Sequence, residues 1–284
     1  MPRVSVLTVS YNTRALLLRC LASVVEEPEV EVIVVDNASS DGSADAVAER
    51  FPSVQLIRSP SNLGFAGGTN RAACAASGRT LLLLNPDAAL TPDALDTLLE
   101  WLDRHPRAAA VSPSMIYPNG TAQSAAFRFP GLAQLALDLF PVARLAETRL
   151  NGRVKASMPM EVDYALGACM LIRRAAWADI GPLDEGYFMY VEEVDWCRRA
   201  RARGWQIWAQ PDALVVHHSG AATRQRPEAM FAQLWRSRLR YYQRYHGPFY
   251  NRLVRVLVRL GMRAEARRSP GRARAAAAIR QLVS

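Results

Sequence analysis

The sequence predicts an α/β protein: a mostly parallel, Rossmann-like central sheet flanked by helices, followed by a C-terminal helical extension. Three observations carry this. Apolar runs alternate with helical spacings in a β-α-β-α-β-α-β rhythm over about the first hundred residues. The runs are continuous stretches of β-branched residues and leucine, as strands buried on both faces require. Three of them end on polar residues: VSVLTVSYN at Asn12, VEVIVVD at Asp36, and TLLLLNPD at Asn85 and Asp87. Ligands of open α/β sheets bind outside the carboxyl ends of the strands, so this edge is expected to hold a nucleotide and a metal.

Residues 4–9 read as the first strand. Over 13–25, Leu16, Leu17, Cys20, Leu21 and Val24 recur at helical spacing. Residues 30–35 form the second strand, Ser40-Asp41-Gly42-Ser43 offers helix caps, and 44–50 continues as helix. Residues 54–58 are the third strand. The loop SPSNLGFAGGTN leads into a helix over 71–77, and 81–84 is the fourth strand. Thr91-Pro92 predicts a helix start, with Thr91 as cap and Pro92 at the first helical position. Further strands are expected at 109–112, 168–172, 206–209 and 215–217, and helices at 192–203, 227–245 and 248–262. The stretch 130–160 reads as a partly helical, mobile insertion near an acceptor site, and the last twenty residues as poorly anchored. The pattern changes after Gly220, which divides the chain into an α/β domain over 1–223 and a basic helical extension over 224–284.

Half of the 284 residues are hydrophobic, enough for a sizeable core. No apolar run approaches the ~20 residues that cross a bilayer, and no signal peptide is expected. Cys20, Cys74, Cys169 and Cys197 form no CxxC pair and read as free, buried thiols of a reducing cytoplasm. The net charge is +9, and from 224 onward fifteen arginines face only Glu228 and Glu265. Such a segment suits an anionic partner, but no nucleic-acid motif accompanies it.

Several residues carry candidate chemistry. Asp36 reads either as an acceptor for base or ribose donors or as a turn aspartate. The glycines of NLGFAGGTN permit close approach to a ligand, with Asn62 and Asn70 either contacting it or fixing the loop. Asn85-Pro86-Asp87 supplies hard oxygen donors on rigid backbone for a divalent cation, or a plain turn. Glu192, Glu193 and Asp195 follow the aromatic run Tyr187-Phe188-Met189-Tyr190. One of these acids could serve as a general base, or all three could simply favour a helix start. Helical spacing puts Glu192 and Asp195 on one face, with Glu193 pointing elsewhere. His217 and His218 alternate in direction, so at most one faces the site, as a metal ligand or a structural residue; His217 is favoured.

These motifs resemble family 2 inverting glycosyltransferases of the GT-A fold, and most closely their bacterial rhamnosyltransferase-like branch. The resemblance spans about residues 3–225 and rests on VSVLTVSYN, VIVVDNASSDGS, NLGFAGGTNRA, LLLLNPDA, GACMLIRR, GYFMYVEEVDWCRRARARGW and VVHHSGAAT. It implies that the segment at Tyr11 and Asn12 lines the nucleotide pocket and that Asp36 contacts the base. It implies that Asn62, Asn70 and Asn85 face the nucleotide or donor, that Asp87 binds Mg²⁺ or Mn²⁺ with the diphosphate, and that His217 helps. Glu193 falls on the family's general base, with Asp195 as a substitute. Two departures stand out: the usual DxD is Asn85-Pro86-Asp87, and the usual Glu-Asp pair is Glu192-Glu193. Asn85 also occurs in proteins resembling dTDP-rhamnose transferases, a pointer to the donor. The implied partners are a dTDP-, UDP- or GDP-sugar and a glycan or lipid-linked glycan acceptor.

The segment NRLVRVLVRLGMRAEARR interleaves aliphatic residues with arginine at near-helical spacing. It suits the anionic inner face of a cytoplasmic membrane, or packing on the catalytic domain or a second subunit. Two other functions are compatible with the sequence. A nucleotidyltransferase would need a basic Gly-rich loop after the first strand, which VSYNTRALL lacks. A degenerate sugar-nucleotide-binding scaffold is compatible with Asn85 and Glu193.

Overall fold

Seven consecutive residues of β1 (Val4–Ser10) and all five of β4 (Thr80–Leu84) are buried, so these strands form the centre of a sheet. Between them run α1 (Arg14–Ala22), β2 (Val30–Asp36), α2 (Ser43–Arg50), β3 (Gln55–Arg58) and α3 (Gly64–Ala75). The computed structural model describes residues 1–142 and 149–283. β1 pairs in parallel with both β2 and β4, and β2 with β3, so the order is 3-2-1-4. The chain therefore reverses its direction of travel across the sheet between β1 and β4, which opens a crevice at their carboxyl ends.

The second half widens this sheet. After β5 (Ala88–Leu90) and α4 (Ala94–Arg104) come β6 (Ala108–Ile116), β7 (Ala122–Gln123), β8 (Ala126–Phe127) and α5 (Leu132–Leu139). Then follow β9 (Arg153–Val154), β10 (Met160–Val162), β11 (Tyr164–Ala165), β12 (Cys169–Arg173), α6 (Arg174–Ile180), α7 (Glu192–Ala202) and β13 (Gln206–His217). The main path is β10-β13-β6-β12-β4-β1-β2-β3, and β11, β8 and β9 make a small separate sheet. β12 is antiparallel to both β4 and β6, so its amino end lies at the edge where β1, β2 and β4 finish. Successive strand residues enter opposite layers. Leu81 and Leu83 join the core on one face, and Leu82 and Leu84 the core on the other. Each such leucine contributes about 1.5–3 kcal/mol relative to exposure.

Several expectations need correction. The helix expected at 71–77 begins at Gly64. Gly67 and Gly68 read as loop because glycine disfavours helix, but a Cβ on Gly68 would lie 2.6 Å from Val9 Cγ1. The pair is there because α3 lies hard against β1. Thr91 does not cap α4; its hydroxyl donates to the Leu214 carbonyl, and the helix starts after Asp93. The two short strands at 206–209 and 215–217 are one strand, β13, with a register shift between Gln210 and Leu214. Cys74 is exposed, unlike the other three thiols, because it sits on the outer side of α3.

The C-terminal region folds as α8 (Pro227–Tyr245), α9 (Pro248–Arg268) and α10 (Ala273–Leu282). Contrary to the sequence reading, the last twenty residues are anchored: Ala275, Ala276, Ile279 and Val283 are buried. Small alanines pack closely here, a signal that hydrophobicity alone underrates. Trp235, Leu239, Val254, Val258 and Met262 belong to the same buried cluster as Leu7 and Ile33 of the sheet. Within the expected insertion at 130–160, α5 and β9 are seen, while 143–148 lies outside the described residues. No helix among the described residues is long and apolar enough to cross a membrane.

Candidate active site

The carboxyl edge of the sheet opens into a cavity of about 470 Å³. Tyr11, Asn62, Asn85, Asp87, Glu193 and His217 all line it, brought together from across two hundred residues of chain. Asn37, Phe65, Gly167, Phe188, Tyr190, Glu192 and the stretch 219–223 complete much of the wall.

The first three strands supply the nucleotide side. Beyond β1 the chain turns at Asn12, whose φ is 51°. Asn12 does not line the cavity. Its side-chain oxygen accepts from the Ser40 N–H at 2.7 Å and its own N–H donates to Ser39 Oγ at 2.9 Å, which ties together the loops after β1 and β2. Asp36 is 4% exposed. One of its oxygens accepts from the Ser39 N–H at 3.0 Å, and the other has no partner. A buried carboxylate oxygen without a donor is costly, but Asp36 sits behind the cavity wall formed by Tyr11 and Asn37 and does not itself line it.

Asn62 and Asn70 separate in role despite sharing one motif. Asn62 lines the cavity and accepts from the Gly64 N–H at 2.9 Å. Asn70 lies on α3 and points away. It donates to the Leu183 carbonyl and Glu185 Oε1, both at 2.9 Å, and accepts from the Leu183 N–H at 3.0 Å. It braces the segment that leads into α7. Asn37 follows directly on the last residue of β2. It lines the wall and donates to the Gly64 carbonyl at 2.9 Å. Gly64 has φ +74°, and a Cβ there would fall 2.1 Å from the Phe188 carbonyl oxygen, so the loop and the aromatic run meet in backbone contact.

Asp87 and His217 meet because β5 pairs with β13, setting Ala88 opposite His217. His217 Nε2 lies 3.2 Å from Asp87 Oδ1, and both side chains are buried. The second Asp87 oxygen accepts from the Ala221 N–H at 3.1 Å. Burial pushes the Asp87 carboxyl up, but the hydrogen bond and charge of His217 and the N–H groups of Ala221 and Asp87 outweigh it, holding the group below the usual carboxylate range. Gln123 Oε1 lies 2.8 Å from His217 Nδ1. A divalent cation would displace the Nε2 proton: with the other ring proton on Nδ1 toward Gln123, the Nε2 lone pair and the Asp87 oxygen become the donor pair such a cation takes. Among the described residues no cluster of three or more His, Cys, Asp or Glu side chains forms. Two protein donors still fit a cation that takes its remaining ligands from phosphates and water.

Glu192 and Glu193 open α7, after Tyr190 and Val191 at φ 68° and 76°. Positive φ at a β-branched residue is costly, and here it turns the chain so that both adjacent acids line the cavity. The expectation that Glu193 points away from Glu192 is therefore corrected. Burial and the neighbouring Glu193 charge push Glu192 well above the ordinary glutamate value. Burial also raises Glu193, but backbone N–H groups at Glu193, Val194, Val191 and Gly167 oppose it. The negative charge of the pair is better accommodated on Glu193.

Asp195 turns away from the cavity. It is fully buried and receives Arg199 Nε at 2.8 Å and the Tyr245 hydroxyl at 2.7 Å, with Arg244 at 3.4 Å. It joins α7 to α8. Asp195→Ala is expected to destabilise the fold by about 3 kcal/mol, because Arg199 loses its buried partner. Urea unfolding reads this; a loss below about 0.5 kcal/mol, the range of ordinary surface substitutions, would reject the role. Arg226 is, among the described residues, the one arginine on the cavity wall. An arginine-rich tail gave no local signal to single it out.

The model for Glycosyl transferase family 2 matches residues 5–181. The chain is 32% identical over 244 residues to an N-acetylglucosaminyl-diphospho-decaprenol L-rhamnosyltransferase of Mycobacterium tuberculosis, covering 80% of each chain. It is 26% identical over 147 residues to the rhamnosyltransferase WbbL of Escherichia coli K12, covering 49% of this chain and 52% of that one. Among solved structures it is similar to the mannosyltransferase PcManGT from Pyrobaculum calidifontis in complex with GDP-Man and Mn²⁺. The TM-score there is 0.58 at 21% identity, covering 93% of this chain and 75% of that one. The chain belongs to glycosyl transferase family 2, in its rhamnosyltransferase-like branch, and is a GT-A-fold transferase of glycan or glycolipid biosynthesis.

Proposed function

We propose that this protein is an inverting rhamnosyltransferase of cell-surface polysaccharide synthesis. It moves L-rhamnose from dTDP-rhamnose to a hydroxyl of a saccharide carried on a lipid diphosphate at the inner face of the cytoplasmic membrane. The observation that carries the reading is the meeting of Glu193 with the Asp87–His217 pair in one cavity at the carboxyl edge of the sheet. The similarity to an L-rhamnosyltransferase named for a lipid-diphosphate acceptor supports the choice of donor sugar and acceptor.

Asn62 holds the base and ribose, Tyr11 and Asn37 line their pocket with Asp36 behind them, and Asn85 contacts the donor. Asp87 and His217 would hold Mg²⁺ or Mn²⁺, which would supply positive charge against the diphosphate. Arg226 adds a second cation to that wall. Glu193 takes the proton of the acceptor hydroxyl. The acceptor oxygen bonds to the anomeric carbon as the carbon–oxygen bond to the diphosphate breaks, and the nucleoside diphosphate leaves with that electron pair. One displacement inverts the anomeric configuration and needs no covalent enzyme intermediate.

Calorimetry with dTDP, UDP and GDP, each with and without Mg²⁺ or Mn²⁺, tests the donor side. Metal-dependent binding of dTDP in preference to the others is the expected result. Tighter UDP or GDP binding would change the donor, and no binding to any would leave an inherited fold serving as a scaffold.

A further inference from the structure

α9 presents two faces of opposite purpose. Val254, Val258, Gly261 and Met262 are buried against the body of the protein. On the far side Phe249, Leu253, Val256 and Leu260 are 77%, 38%, 50% and 46% exposed. Their spacing of four, three and four residues makes one continuous stripe along the helix. Arg252, Arg255, Arg259 and Arg263 repeat at intervals of three, four and four and run beside it, and all but the half-buried Arg259 are exposed. The one carboxylate of α9, Glu265, is taken by Arg268 and Arg272. Arg259 and Arg263 also meet Arg280 of α10 around a groove of about 260 Å³, and the Arg280 Nε is buried without a partner.

We infer that the outer face of α9 docks on an anionic lipid surface, with the aliphatic stripe entering the acyl boundary and the arginines meeting lipid phosphates. A helix that packed only on its own protein would expose polar residues opposite its buried face. This one exposes aliphatic side chains there. The charge decides between occupants: Arg252, Arg255 and Arg263 flank the stripe, and the one carboxylate of α9 is already taken, so a second copy of the same face would be repelled. An anionic bilayer complements it, and stripe with flank is the pattern of a helix lying in the interface plane. α8 links this face to the cavity, since Met230 near its start lines the wall and its end leads into α9. The nineteen-residue length of α8 keeps the two within about 28 Å along its axis.

Flotation of the full chain with vesicles of phosphatidylglycerol and phosphatidylcholine, against phosphatidylcholine alone, tests the inference. The protein should float with the anionic vesicles at low salt and be released as salt rises. L253S/V256S/L260S should lose flotation. R252Q/R255Q/R263Q should weaken it on the order of 100-fold, about fivefold for each arginine lost near a charged surface. Both variants should keep nucleotide binding in the cavity, which establishes that they fold and separates this surface from the reading of the active site. Failure of the unaltered protein to float, equal flotation with neutral vesicles, or undiminished flotation of the stripe variant overturns the inference. So does a dimer in sedimentation that the stripe variant loses without any lipid binding.

Discussion

Glu193→Gln is expected to lower sugar transfer by about 10²–10⁴-fold while metal-dependent nucleotide binding persists. Glutamine keeps the length of the side chain and its fit beside Gly167, but cannot accept the proton of the acceptor hydroxyl. The pH dependence follows from the environment of the pair. Burial raises both glutamates above the ordinary value of 4.5, so in the unaltered enzyme kcat/KM climbs with pH through a limb displaced above that value. The residual activity of the variant should lack that limb.

Stability supplies the control for Glu193→Gln. A carboxyl whose folded-state pKa is raised binds more protons folded than unfolded. The pair therefore costs stability as pH rises from 4.5 through the raised values. Glutamine cannot ionise, so the variant should melt no lower than the parent at neutral pH. A variant that melts normally and transfers sugar at more than a tenth of the parent rate removes Glu193 from the base role. The same profile measured on Glu192→Gln then decides whether the neighbour performs it.

The strands and their polar ends were legible because they are local facts. Four β-branched residues before Asp36, or Thr80 and four leucines before Asn85, announce a buried strand and its edge without reference to anything distant. What failed depended on distant partners. Asn62 and Asn70 sit in one motif, yet Asn70 is claimed by Leu183, 113 residues away. Asp195 looked interchangeable with Glu193 because its partners, Tyr245 and Arg244, come from α8. Helical spacing put Glu192 and Asp195 on one face, yet Glu192 lines the cavity and Asp195 turns to Arg199 and Tyr245. It could not show that a first-turn pair entered through two left-handed residues would present both glutamates to the cavity. The antiparallel setting of β12 was equally hidden, since an apolar run of five residues reads the same in either direction.

Asp87→Ala is expected to abolish the metal-dependent part of nucleotide affinity, on the order of 10²-fold or more, and to reduce transfer at least as much. The argument rests on charge. The low-lying pKa of Asp87 keeps it ionised through the neutral range, and its folded-state value below the unfolded one means it contributes stability that is lost only as pH falls into the acid range. Asp87 also holds the loop after β13 through the Ala221 N–H, so alanine removes a tether along with the charge. Asp87→Asn separates the two effects. Its amide oxygen can still accept from Ala221, and it lacks the negative charge that a cation needs beside neutral Asn85. If Asp87 serves the metal, both variants lose the difference between affinities measured with and without Mg²⁺ or Mn²⁺, and metal-free nucleotide binding survives in the asparagine variant. If Asp87 only shapes the loop, Asp87→Asn keeps the full metal enhancement. In that case the cation is held elsewhere, and the departure from two aspartates to Asn85 and Asp87 marks a site that has given up its metal.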